Sequence, residues 1–142
     1  MDETRKKELL HYLNSFEREH IGKTLNIVFT AVDEGMLQAT MPVTSKVHQP
    51  YGILHGGASC VLAETLGSCL SIINVDMEKN VPVGTNINSN HLRSVKDGVL
   101  TGTATFIRKG RTMHISQIEI HDEQGNLINH TTMTNAIIPN KF

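Results

Sequence analysis

The residues best equipped for chemistry crowd into the stretch from Lys46 to Asp76, where Glu64 is the only fully charged side chain between the two ends. From Ala58 to Val75, small and apolar residues run all the way round a helical projection, which predicts a helix buried at the centre of the molecule. A carboxylate on such a helix must be paired, hydrogen-bonded, protonated or opened to a water-filled pocket, because desolvating it alone is costly. Only the open pocket leaves it free to take a proton from water or to attack a carbonyl.

Neighbouring residues fit that last condition. His55-Gly56-Gly57 stands where the apolar run begins, and two glycines leave backbone N–H groups uncovered at the positive end of a helix dipole, where developing negative charge is stabilised. Ser68 lies one helical turn beyond Glu64, and Gln49, just before Pro50, offers an amide that can orient a water or a carbonyl. Gly56 and Glu64 are separated by about 12 Å along one helix axis, too far to meet on one carbonyl within a chain. If both act on the same bond, the helix start of one subunit must face the middle of the helix of another, which predicts at least a dimer with composite sites.

The run Gln-Pro-Tyr-Gly-Ile-Leu-His-Gly-Gly-Ala-Ser-Cys-Val-Leu-Ala-Glu-Thr-Leu-Gly-Ser resembles the signature of hotdog-fold acyl-CoA thioesterases. The branch it resembles holds the Arthrobacter-type 4-hydroxybenzoyl-CoA thioesterases and the 1,4-dihydroxy-2-naphthoyl-CoA and enterobactin-proofreading thioesterases. The likeness continues through Asn88-Ser89-Asn90-His91-Leu92-Arg93-Ser94 and covers nearly all of the chain after its first twenty residues. It implies hydrolysis of an acyl-CoA thioester, with an aromatic acyl group expected and 1,4-dihydroxy-2-naphthoyl-CoA the first candidate. By resemblance Glu64 is the nucleophile or the general base, the Gly56 N–H polarises the carbonyl, His55 and Gln49 position the thioester, and Ser68 holds water or Glu64. Coenzyme A, part of the substrate rather than a cofactor, is expected against Val83, Gly84, His91, Leu92, Arg93, Ser94, Lys109, Gly110, Arg111 and Thr112. A homodimer, paired into a dimer of dimers, is expected as well.

Other chemistries fit less well. There is no Gly-x-Ser-x-Gly elbow, no His pair with His-Glu-x-x-His spacing to hold a metal, and no Asp-x-x-x-x-His arrangement of a hotdog hydratase or dehydratase. A non-catalytic acyl-CoA sensor is the alternative from another class. A net charge of -1, few aromatics and no Trp argue against a nucleic-acid partner. Cys60 and Cys69 sit nine residues apart on the predicted helix, too far to bridge, and read as free thiols of a reducing compartment. Without a secretory segment or a long apolar run, a cytoplasmic protein away from membranes is expected.

The elements that must position these residues follow from periodicity. Residues 4–19 form an amphipathic helix with Leu9, Leu10, Leu13 and Phe16 on one face, expected to dock on the rest of a single domain spanning residues 1–142. Residues 25–32 and 36–41 read as a hairpin. Residues 81–95 form a long strand with Ile87, Ser89, His91 and Arg93 on one face. Residues 99–108, 112–121 and 127–138 complete the sheet, with an apolar phase slip between Ile115 and Ile118 that suggests a β-bulge. The order helix, two strands, buried helix, four strands is α+β, an antiparallel sheet of about six strands curled around one long helix.

Overall fold

The computed structural model describes all residues, 1–142. Its elements are α1 (Glu3–Asn14), α2 (Ile21–Thr24), β1 (Val28–Asp33), β2 (Met36–Pro42), a single 3₁₀ turn (Ser45–Val47), α3 (Gly56–Ile72), β3 (Asn80–His91), β4 (Val99–Lys109), β5 (Met113–His121) and β6 (Leu127–Pro139). All strand pairs are antiparallel, in the order β1-β2-β4-β5-β6-β3. The sheet curls around α3, the expected α+β architecture.

What drives that wrapping is the apolar row of α3. Leu62, Leu66 and Leu70 are fully buried against Leu37, Ala39 and Met41 of β2, Leu100 and Ala104 of β4, Ile118 and Ile120 of β5, and Met133 of β6. Gly102 of β4 permits the closest approach, because a Cβ there would stand 2.5 Å from Leu66 Cδ1.

The helix is not buried on every side. Ala58, Ser59, Leu62, Ala63, Leu66, Gly67, Leu70 and Ser71 form the covered face, while Cys60, Val61, Thr65, Ser68 and Cys69 are half-buried and Glu64 is exposed. Apolar composition all round a helix therefore does not mean that one chain covers it. The uncovered side lies near β3, whose outer edge has no partner strand.

Two boundaries and the place of one bulge differ from the periodicity. α1 stops at Asn14 instead of running to residue 19, because the Asn14 side chain pairs with the edge of β1: Nδ2 donates to Phe29 O at 2.8 Å, and Phe29 N donates to Oδ1 at 2.9 Å. Leu9 and Leu13 remain buried, but Phe16 falls beyond the helix and is 51% exposed. β3 ends at His91, so Arg93 lies outside the strand and does not share a face with Ile87. The expected bulge in β5 is absent. Burial alternates along it without a slip, with polar His114 and Ser116 at inward positions, and the extra residue is Ile107 in β4, between the pairs Phe106↔Ser116 and Arg108↔Ile115.

Candidate active site

The loop entering α3 is held by its own backbone. Gln49 N donates to Ile53 O at 2.8 Å, Leu54 N to Val95 O at 2.7 Å, and His55 N to Val47 O at 2.8 Å. The Gln49 side-chain oxygen accepts from the Tyr51 N–H, which leaves its NH₂ free to donate. His55 is the N-cap of α3: its Nδ1 accepts from Gly57 N at 2.8 Å, so in the neutral ring Nε2 is the donor. Ala58 N donates to His55 O at 3.0 Å. The Gly56 N–H has no partner in the chain and stands at the N-terminal end of the helix, where negative charge is stabilised.

Gly56 is required by a close contact as well. A Cβ on it would stand 2.7 Å from His91 Nε2 and 2.8 Å from His91 Cε1, so the imidazole edge lies against the bare Cα. Gln49, Gly56, His91, Leu92, Arg93 and Ser94 together line a depression of about 400 Å³ at the N-terminal end of α3. Six of the residues singled out in the sequence thus converge here. Arg93 is exposed, with Nη1 donating to Asn126 Oδ1 at 3.3 Å.

Glu64 stands on the open face of α3 and makes no ion pair or hydrogen bond within the chain. Its carboxylate leans toward β3, where Oε1 is 3.3 Å from the position a Cβ of Gly84 would take. Ser68, one turn along, is half-buried. Beside this face a cavity of about 680 Å³ opens between α1, α2 and α3, walled by Leu13, Phe16, Ile27 and Phe29 and reaching Thr65 and Cys69. Burial pushes the Cys69 thiol up to about 11, so it is a neutral apolar wall at physiological pH and not a nucleophile.

The remaining predicted residues are not gathered at the α3 N-terminus. Val83 is exposed on β3, and Lys109, Gly110, Arg111 and Thr112 form the β4–β5 turn at the other end of α3, where Lys109 Nζ donates to Asn74 Oδ1 at 3.1 Å. Neither Arg93, Lys109 nor Arg111 forms an ion pair, so all three cations remain available to an anionic ligand.

Sequence reasoning passed over two buried asparagines of β6, Asn129 at 0% and Asn135 at 1% exposure. The signal was there: they share the inward phase of a strand with Met133, and polar groups at core positions need partners. Asn135 Nδ2 donates to Ser71 Oγ at 2.9 Å and Gly67 O at 3.2 Å, and Ser71 Oγ lies 2.9 Å from His114 Nδ1. Burial first, and the Lys109 charge second, hold His114 below its usual 6.5. The unfolded chain therefore binds this proton more readily, so the stabilisation His114 gives is complete above pH 6.5 and is lost as pH falls below it. Urea midpoints measured across this range should drop toward acid, and His114→Gln should flatten the drop; an unchanged slope would contradict this.

Comparison with known proteins adds an independent finding. A family model described as the thioesterase superfamily matches residues 51–129. The chain is similar to the 1,4-dihydroxy-2-naphthoyl-CoA hydrolase of Escherichia coli (strain K12), at 40% identity over 134 residues covering 94% of this chain and 98% of that one. It is also similar to the proofreading thioesterase EntH of Cronobacter sakazakii, at 40% identity with 84% of each chain covered. Among solved structures, a mutant thioesterase from Pseudomonas aeruginosa superposes with a TM-score of 0.90 at 42% identity, covering 92% of this chain and 94% of that chain.

Proposed function

This chain belongs to the thioesterase superfamily, with its hotdog fold, and is an enzyme acting on thioesters; on that premise we propose that its substrate is an aromatic acyl-CoA, 1,4-dihydroxy-2-naphthoyl-CoA being the first candidate. The observation that carries the hydrolytic chemistry is that one helix holds an unpartnered carboxylate, Glu64, and an unpartnered backbone donor, the Gly56 N–H. Thioester hydrolysis needs both groups: an acceptor that activates water or attacks the carbonyl carbon, and a donor for the oxygen that becomes negative. Gln49, through its free NH₂, and His55, through Nε2–H, orient the carbonyl. Ser68 holds a water or the carboxylate.

Gly56 opens α3 and Glu64 stands at its middle, so the site is completed by a second copy of the chain. The open face of α3 and the unpaired edge of β3 are adjacent, and a two-fold partner placed there would bring its own Gly56 toward Glu64. Pairing of such dimers into a tetramer extends the same reading. Val83 and Gly84 on β3, with His91, Leu92, Arg93 and Ser94, then line the channel, and the Lys109–Thr112 turn supplies cations and backbone amides for the coenzyme A phosphates. The cavity of about 680 Å³ with apolar walls near Thr65 and Cys69 falls in the size range of small-molecule sites and suits an aromatic ring.

No helix is long and apolar enough to cross a membrane. A cytoplasmic location is part of this reading, in keeping with two free cysteines. The test is a panel of acyl-CoA thioesters followed by release of free coenzyme A. Aromatic thioesters, dihydroxynaphthoyl-CoA foremost, should show the highest kcat/KM. Preference for straight-chain acyl groups would overturn the substrate assignment.

A further inference from the structure

Four polar side chains meet on the inner face of the sheet next to Gly56, where β3 and β6 pair in the register Ser89↔Thr131 and His91↔Asn129. Asn129 and Thr131 are fully buried, Ser89 is half-buried and His91 is exposed, so the two β6 side chains must find their partners within the group and their protons can be traced. Thr131 Oγ1 donates its single proton to Asn129 Oδ1 at 2.6 Å. Asn129 Nδ2 donates one N–H to Ser89 Oγ at 2.8 Å. Ser89 and Thr131 are joined at 2.8 Å, and because the Thr131 proton is already used, Ser89 must be the donor there. The ring is closed with Asn129 Oδ1 toward Thr131 and Nδ2 toward Ser89 and His91.

One N–H of Asn129 remains, and it meets His91 Nδ1 at 3.1 Å. An amide N–H needs an acceptor, so Nδ1 carries the lone pair and the proton of the neutral imidazole sits on Nε2. Nε2 has no partner in the chain, and it lies on the ring edge that rests against Gly56, whose own N–H is also unpartnered. Two donors thus face one depression of about 400 Å³.

We propose that Asn129 is a positioning residue: its amide, locked by Ser89 and Thr131, holds His91 in the Nε2–H tautomer and presents that proton, beside the Gly56 N–H, to the thioester oxygen. This rests on the thioesterase reading of the site and deepens it by naming the second donor and what orients it. Without Asn129 the imidazole is free to move its proton to Nδ1, which turns a lone pair toward an oxygen that is gaining charge.

The experiment has two arms. In the intact unmodified protein labelled with ¹⁵N-histidine, with His91→Ala identifying the signals, His91 should show a protonated Nε2 and an acceptor Nδ1; the reverse pattern overturns the proposal whether or not any variant folds. In steady-state kinetics, His91→Ala should lower kcat about a hundredfold, as loss of one oxyanion donor does. Asn129→Leu should lower kcat about tenfold with KM little changed, and should cost nothing further in the His91→Ala background. An equal loss in both backgrounds would show general damage and overturn the assignment. Glu64→Gln separates the two readings: if it abolishes turnover while either arm fails, only the Asn129 role falls; if it leaves turnover intact, the Glu64 role falls and the tautomer still reports on Asn129.

Discussion

Replacing Glu64 with Gln is expected to lower kcat by about a thousandfold or more, while KM for the acyl-CoA changes only a few-fold. Gln keeps the size of the side chain and loses the ability to take a proton or attack a carbon. Because Glu64 makes no ion pair or hydrogen bond within the chain, nothing in the fold should collapse when its charge is removed. A loss in kcat without a loss of thermal stability would separate a chemical role from a structural one. Stopped-flow release of free coenzyme A, alongside a thermal melt of the same preparation, measures both; retention of more than about a tenth of kcat would remove Glu64 from the chemistry.

Gly56→Ala is the second large effect. The new Cβ would stand 2.7 Å from His91 Nε2, well inside contact distance, so the imidazole must swing out of the depression it lines. The Gly56 N–H survives the change, but the second donor is displaced and the room for the carbonyl oxygen shrinks. About a hundredfold loss in kcat follows if an oxyanion contact is lost. Since the clash is with the end of a side chain and not with backbone, the protein should still fold. His91→Ala should relieve the clash, so combining the two changes should cost less than the product of their separate losses.

The parts of the site that were legible in the sequence are those written locally. Gln49, His55, Gly56 and Glu64 lie in one continuous stretch, and their placement depends on a loop, a helix start and one helical face. Those are short-range features that residue type and the 3.6-residue period encode. The number and order of the strands followed from turn residues, and that order then left one way to cover an apolar helix.

What stayed hidden depends on contacts between distant residues. Asn14 ends α1 because it pairs with Phe29, fifteen residues away, and nothing in the amphipathic pattern of residues 4–19 announces it. His114 and Ser116 read as an interruption of the apolar phase, but they are inward residues whose partners come from α3 and β6. Asn129 and His91 are 38 residues apart, and only the β3–β6 register brings their side chains together. The open face of α3 was misread for a different reason: an apolar helix surface states that it is to be covered, but not by which chain.

The central claim is that each site is shared, with Glu64 from one subunit and Gly56 from its neighbour. Mixing Glu64→Gln and Gly56→Ala proteins, unfolded together and refolded at equal amounts, tests it directly. Half of the resulting dimers carry one intact site, so activity should rise from near nothing to about a quarter of the unmodified protein's. If the mixture stays as inactive as the two parents although mass spectrometry shows mixed dimers, both groups act within one chain and the account is wrong.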